Sequence, residues 1–316
     1  MSKNIEILIN NYPVRIELAQ ERQQLKFGFL GPLGTYTDEG ADLILGKNRT
    51  DFNQSLLKSN GEVVRLVNKG EIDLGVVAAV NAIEGTVMET LREIVHAKDL
   101  TILGETTVKI DHMLLGKAGV DIKQIKRIYS HPQAFGQSSE LLNREYPDAE
   151  LIPTGSTTAA VEQIQAMADA TEVAAIANKR SAVIYGMDIL AQSIGDNQYN
   201  ATRFWLVGRG QTEPTGDDTT LFTFIPNEDR PGILRDCLDV LAMHGLNLTR
   251  LDSHPTGEID RYIFIASHKG HYKETMTQRA HQLLQERYCS NLRVLGSYRK
   301  AVLPEGVRDP GVLNGQ

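Results

Sequence analysis

The sequence predicts an α/β domain followed by a smaller ferredoxin-like α+β domain, on three observations. From Lys26 to about Val207 short apolar runs alternate with segments of helical length, the pattern of a largely parallel sheet flanked by helices. Gly208 to Asp218 carries Gly, Thr, Pro and Asp with almost no apolar residue and reads as a linker. Beyond it the order is strand, helix, strand, strand, helix, strand, in which two helices cover one face of an antiparallel sheet.

Residues 1–25 hold one short apolar stretch, Ile5 to Ile9, with Glu6 inside it, and read as a strand or short appendage rather than a signal peptide or membrane anchor. The first domain, 26–208, has strands expected at 27–30, 74–78, 101–108, 111–116, 126–129, 173–176 and 204–208. Helices are expected at 38–46, 52–59, 61–69, 86–96, 132–146, 156–169 and 178–184. Ser130 before Pro132 and Ser156 before Thr157 are good helix starts. The second domain, 219–300, opens with strand 219–225 and turns at Pro231-Gly232 into helix 233–244. Strands 246–251 and 262–267, helix 273–288 and strand 292–298 complete it. The tail 301–316, with two prolines and three glycines, has little to pack and reads as mobile.

Composition narrows the function. The 316 residues are 41% hydrophobic and 23% charged with net charge −7, and no polybasic cluster is present to displace counterions from nucleic acid. Cys237 and Cys289 are the two cysteines, too few and too far apart in sequence for a disulfide framework or thiolate metal site, which fits a reducing cytoplasm. The eight histidines form no metal-ligand spacing, and no Ser-His-Asp order stands out.

Four segments can carry chemistry. Gly31-Pro32-Leu33-Gly34-Thr35 joins a strand to a helix, where backbone N–H groups and the helix dipole would face an anion; glycine spacing alone favours a plain tight turn. Asn81 ends the buried run Gly75–Val80, where open α/β sheets bind ligands, and would serve equally as a helix cap; Glu84 reads as a partner of the helix dipole. Ser130-His131-Pro132-Gln133 leads into a helix that carries Gln137 one turn beyond Gln133, while His131 reads as structural. Asn200-Ala201-Thr202-Arg203-Phe204 sets a hydroxyl beside a guanidinium: a cation can hold a carboxylate and a hydroxyl can hand a proton to a leaving oxygen.

Together these segments, with Ser156-Thr157-Thr158-Ala159-Ala160 and Ala174–Ala177, occur in an order that resembles prephenate dehydratase over Lys26 to about Arg299. The second domain resembles an ACT regulatory domain through Pro231-Gly232-Ile233-Leu234 and Asn247-Leu248-Thr249-Arg250-Leu251-Asp252-Ser253-His254-Pro255. The resemblance implies a type II periplasmic-binding-protein-like catalytic domain of two lobes around a cleft. It implies prephenate as substrate, no metal or organic cofactor, phenylalanine as effector, and a homodimer or homotetramer. Thr202 would act near the C4 hydroxyl and Arg203 would anchor a carboxylate. Asn81, Ser130, Gln137, Ser156, Thr157 and Thr158 would line the same cleft, with Thr35 and Phe204 in contact with substrate. Pro231, Gly232, Leu234, Asn247, Leu248, Asp252, Ser253 and His254 would bind the effector.

Two departures stand out. Val80-Asn81-Ala82 replaces the family's usual Glu-Asn-Ser at a strand end expected to border the cleft, and Asp252-Ser253-His254-Pro255 replaces Glu-Ser-Arg-Pro. The alternatives are a non-aromatising decarboxylase, an arogenate dehydratase on the same scaffold, and a catalytically silent ligand sensor. Retention of Thr202 favours the dehydratase.

Overall fold

The computed structural model describes residues 3–9, 12–18, 24–256, 262–305 and 307. An antiparallel hairpin of β1 (Lys3–Ile9) and β2 (Tyr12–Leu18) comes first. Its Ile9 and Val14 are buried in the core of the domain that follows, so this segment is an integral part of the fold.

The first lobe contains β3 (Leu25–Leu30), α1 (Tyr36–Leu45), β4 (Phe52–Leu57), α2 (Asn60–Lys69), β5 (Leu74–Asn81), β6 (Gly85–Thr86), α3 (Met88–His96) and β7 (Thr101–Lys109). The chain then crosses to a second lobe of β8 (Met113–Gly116), β9 (Arg127–Ser130), α4 (Pro132–Gly136), α5 (Ser139–Glu145), β10 (Glu150–Pro153), α6 (Thr157–Ala166), β11 (Val173–Ala177), α7 (Lys179–Tyr185) and β12 (Asp188–Ala191). It returns as β13 (Ala201–Gly208), which inserts antiparallel between β5 and β7 to give the sheet order β4-β3-β5-β13-β7. The second lobe's sheet runs β10-β9-β11-β8-β12. The two crossings are tied together by Ile110 N–H to Asn200 O at 2.8 Å and Ile194 N–H to His112 O at 2.9 Å. This is the two-lobed α/β architecture that the sequence predicts.

The C-terminal domain follows as β14 (Asp218–Pro226), α8 (Ile233–Met243), β15 (Leu248–Pro255), β16 (Tyr262–Lys269), α9 (Thr275–Arg287) and β17 (Cys289–Arg299), in sheet order β15-β16-β14-β17. Its Leu221, Ile265, Leu295 and Tyr298 share one buried cluster with Val77, Ile102 and Trp205 of the first lobe. β17 lies so close to β7 that a Cβ on Gly296 would stand 2.2 Å from the Ile102 carbonyl oxygen, which only glycine avoids. Cys237 and Cys289, distant in sequence, meet in the core of this domain as buried free thiols.

Three expectations are corrected, and two short strands are added. Residues 52–57 form a strand, pairing with β3 from Leu25↔Phe52 to Leu30↔Leu57; Asn53, Gln54 and Ser55 leave an edge strand without the apolar alternation that would mark it. The helix expected over 132–146 breaks after Gln137. The Asp196 carboxylate there accepts from Ser139 N–H (3.0 Å) and Glu140 N–H (3.1 Å) and starts a new helix. The four-residue strands β10 and β12 are too short for any periodicity to show. The tail is not wholly loose, since Ala301 is buried with its N–H on Glu105 Oε1 at 3.1 Å; residues 306 and 308–316 lie outside the described residues.

Candidate active site

A cavity of about 500 Å³ lies between the lobes. Its walls carry helix starts from both sides: Thr35, Tyr36 and Thr37 at α1, and Gly155, Ser156 and Thr157 at α6. Thr35 Oγ1 caps α1 by accepting from Asp38 N–H at 3.2 Å, and Ser156 Oγ caps α6 by accepting from Ala159 N–H at 3.0 Å. Each helix thus points its positive dipole end and unfilled N–H groups into the cleft, which suits two negative groups on one small molecule. Among the described lining residues there is no Lys or Arg.

A chain of side-chain amides runs along the floor, and its polarity is fixed from one end. Asn81 Oδ1 accepts from the backbone N–H of Ile83 and of Glu84, both at 3.0 Å, so the amide cannot be flipped. Its Nδ2 therefore donates to Asn200 Oδ1 at 2.9 Å and to Thr202 Oγ1 at 3.0 Å. Asn200 Nδ2 in turn donates to Gln137 Oε1 at 3.0 Å, and the same oxygen lies 2.9 Å from His112 Nε2. Because Gln137 Oε1 can only accept, Nε2 of His112 carries a hydrogen. At the far end His112 Nδ1 is 3.2 Å from the Tyr36 hydroxyl, which also lies 2.9 Å from the Asp111 carbonyl. The consequence at Thr202 is direct: its oxygen already accepts a hydrogen, so its own O–H is left to donate.

Burial shapes the titration. His112 is pushed below the ordinary imidazole range by burial, opposed by the Gln137 hydrogen bond and by Asp111. Burial with Glu39 and Asp111 nearby holds the Tyr36 phenol well above its usual value, so it stays protonated. The Gly31–Thr35 loop is fastened from the opposite lobe. Ser181 Oγ donates to the Gly34 carbonyl at 2.9 Å, and Gly34 has φ 95°, a left-handed conformation that suits glycine. Beneath the loop Asp38 takes Arg180 Nε at 2.5 Å, the Gly34 N–H and the Arg49 guanidinium. Burial pushes this carboxyl up, but those three donors outweigh it and hold it below the usual range.

Of the residues expected to line the cleft, Thr35, Asn81, Gln137, Ser156, Thr157, Thr202 and Phe204 do so. Asn81 is both turn cap and cleft contact, not one or the other. Arg203 is a correction. Successive residues of a strand face opposite sides, so with Thr202 and Phe204 turned to the cleft, Arg203 turns away, its Nε 3.6 Å from Glu105 beneath the C-terminal domain. Ser130 is likewise withdrawn: it is fully buried and donates to the Ile176 carbonyl at 2.7 Å. Thr158 is buried against Ser181 Oγ at 3.0 Å. Val80 packs on the opposite face of β5 and Ala82 is exposed, so the departure from Glu-Asn-Ser does not alter the lining.

The sequence reading missed Tyr36, Asn60, Thr86, His112 and Asn200 as cleft or network residues. Asn200 and Tyr36 stood inside quoted runs, but His112 is a lone histidine in a predicted strand with no local signal. His131 caps α4, accepting from Gln133 N–H at 3.3 Å, as its structural reading expects, and it also lines the cleft.

The residues proposed for the effector divide along β15. Pro231, Gly232, Asp252, Ser253 and His254 sit at the end of the sheet where β14 finishes, with Ser253 and Phe224 level across Phe264. Asn247 and Leu248 lie at the other end, roughly 20 Å away at about 3.3 Å per residue, while Leu234 packs on the domain core. A separate cavity of about 710 Å³ between α9, β17 and the linker is lined by none of these residues. Among the described residues no group of three or more His, Cys, Asp or Glu is placed to hold a metal, and no helix is long and apolar enough to cross a membrane.

Two lobes that present opposed helix starts, hydroxyls and amides across a cleft define an α/β enzyme scaffold for a small polyanion. A model of the family "Prephenate dehydratase" matches residues 27–212. A bifunctional chorismate mutase/prephenate dehydratase of Pseudomonas aeruginosa is 33% identical over 282 residues, 89% of this chain and 75% of that protein. The prephenate dehydratase of Lactococcus lactis is 32% identical over 73% of this chain and 81% of its own length. A solved prephenate dehydratase from Arthrobacter aurescens, in complex with L-Phe, superposes with TM-score 0.79 at 33% identity, covering 89% of this chain and 94% of that one. The chain belongs to the prephenate dehydratase family.

Proposed function

We propose that the chain is a carbon–oxygen lyase that converts prephenate to phenylpyruvate, water and CO2. The observation that carries this reading is the hydrogen-bond polarity at Thr202: Asn81 Nδ2 donates to its oxygen at 3.0 Å, which leaves the threonine O–H as a donor to the departing C4 oxygen. The two carboxylates of prephenate match the opposed starts of α1 and α6. Aromatisation supplies the driving force, so the protein has to orient the dianion and stabilise the leaving oxygen. A well-placed donor contributes about 10²–10³ in rate. Incubation with prephenate, followed by the absorbance of phenylpyruvate in base, tests the reading. Thr202→Ala should lose at least about 100-fold in kcat; retention of full activity would remove Thr202 from the mechanism. Glu84 favours a second substrate, because a carboxylate on the cleft wall would pair with the ammonium of arogenate. Initial rates on both compounds decide.

Residues 219–300 are proposed as an ACT-type regulatory domain that takes phenylalanine. Its element order and the L-Phe complex of the Arthrobacter aurescens protein support this. A physical link to the cleft exists in Arg250. Its guanidinium donates to Asp252 Oδ2 at 2.6 Å and to Thr86 Oγ1 at 2.6 Å, and Thr86 lines the cleft. Among the described residues β15 is a sheet edge, paired to β16 alone, and its free backbone groups suit pairing with a second copy in a homodimer or homotetramer. The free thiols of Cys237 and Cys289 fit a cytoplasmic location.

A further inference from the structure

The proposed reaction consumes a proton. Prephenate enters as a dianion, and phenylpyruvate monoanion, CO2 and water leave, so one proton must be supplied per turnover. A threonine hydroxyl can pass a hydrogen bond but is far too weak an acid to be the net source. Among the described lining residues the imidazoles, the side chains most used to pass protons, are His112 and His131. His131 Nδ1 is occupied as the helix cap.

His112 stands in a hydrogen-bond frame that is one proton short. Its Nε2–H is committed to Gln137 Oε1, as the polarity of the amide chain requires. The Tyr36 hydroxyl has one hydrogen and two acceptors within reach, the Asp111 carbonyl at 2.9 Å and His112 Nδ1 at 3.2 Å. With the hydrogen on the shorter contact, Nδ1 and the tyrosine oxygen face each other as two lone pairs. One added proton on Nδ1 completes every contact: Nδ1–H donates to Tyr36, Tyr36 to Asp111, and Nε2–H to Gln137.

The charged groups on the surrounding elements also favour that form. They are Asp111 beside it, Glu39 on α1, Glu84 after β5 and Asp196 on the second crossing, while Lys109 at the end of β7 is exposed. Burial opposes the charge. A dianion arriving in a cleft whose described lining has no Lys or Arg tips the balance toward the cation.

We propose that His112 takes up one proton with the dianionic substrate and supplies it, through the Tyr36 hydroxyl, to the departing C4 oxygen. This rests on the prephenate dehydratase reading. In the step, the bond from C1 to its carboxylate breaks to release CO2, and its electron pair enters the ring as the C4–O bond breaks. Tyr36 turns its hydrogen from the Asp111 carbonyl to the leaving oxygen, which takes it to become water; Tyr36 then takes the proton on His112 Nδ1, and neutral His112 is recharged from solvent. Tyr36 lines the cleft and remains a phenol, as a relay requires.

The test is kcat/KM for prephenate between pH 7 and 9 with the wild-type chain, His112→Gln and Tyr36→Phe, each checked for an unchanged melting curve. Because kcat/KM reports the free enzyme, the wild type should fall about tenfold per pH unit. His112→Gln keeps a donor toward Gln137 but cannot be charged, so its profile should be low and flat. Tyr36→Phe cuts the relay, so its profile should be low and flat as well. A flat wild-type profile, or a His112→Gln profile that keeps the slope, overturns the proposal. A wild type with no turnover of prephenate refutes the dehydratase reading itself, and the proposal with it.

Discussion

Replacing Asn81 by Asp reverses the amide chain at its anchor while changing almost nothing in shape. The Ile83 and Glu84 N–H groups, at 3.0 Å each, still find an acceptor, now a charged one. The two hydrogens that Asn81 Nδ2 gives to Asn200 Oδ1 and Thr202 Oγ1 are lost. Thr202 O–H then turns toward the new carboxylate and away from the substrate. Two hydrogen bonds at about 1 kcal/mol each put the stability loss near 2 kcal/mol, partly offset by the stronger turn cap, so the melting temperature should drop by only a few degrees. Loss of the donor should lower kcat by about 10²–10³, or roughly 3–4 kcal/mol of barrier. KM should move much less. Steady-state kinetics on prephenate beside a thermal melt measures both; a variant with wild-type kcat would refute the assignment of the Thr202 hydroxyl as donor.

Arg203→Met should leave KM for prephenate within about threefold, because the guanidinium faces Glu105 and not the cleft; a rise of about 100-fold, on the scale of a lost charge-assisted contact, would restore it as an anchor. Arg250→Met should keep uninhibited turnover but weaken phenylalanine inhibition by about fivefold or more, as severing a typical coupling of 1–3 kcal/mol implies, and dose–response curves measure it. Asp38→Asn leaves Arg49 buried without its main counter-charge and should destabilise the protein by about 3–5 kcal/mol at neutral pH in denaturant melts. Since the folded carboxyl is held below its unfolded value, its contribution is full above about pH 4 and disappears as pH falls through the folded value, so variant and wild type should converge in acid.

Fold class was legible because it depends on long buried runs: Gly75–Val80 and Phe204–Val207 lie in central strands, apolar enough to be seen directly. Phe52–Leu57 was not, since an edge strand carries polar residues on both faces. At the site, residues at loop-to-helix junctions such as Thr35 and Ser156 were found because a cap and a cleft contact demand the same side chains. Arg203 and Ser130 were misplaced for a common reason: adjacency in a strand is opposition in space, and the guanidinium beside the hydroxyl in sequence lies across the sheet from it. His112 stayed hidden because its partners Tyr36 and Gln137 come from two distant stretches that meet it only when the lobes assemble.

The placement of β13 between β5 and β7 has a consequence for how this chain can vary. Insertion or deletion of a single residue between Asn200 and Thr202 would slide the strand by one position, send the hydroxyl into the wall shared with the C-terminal domain and swing the Arg203 guanidinium into the cleft. Substitutions along Asn200–Phe204 can be absorbed one face at a time, but a change of length cannot, so natural variation in loop length should accumulate between Ser193 and Tyr199 and stop short of Asn200.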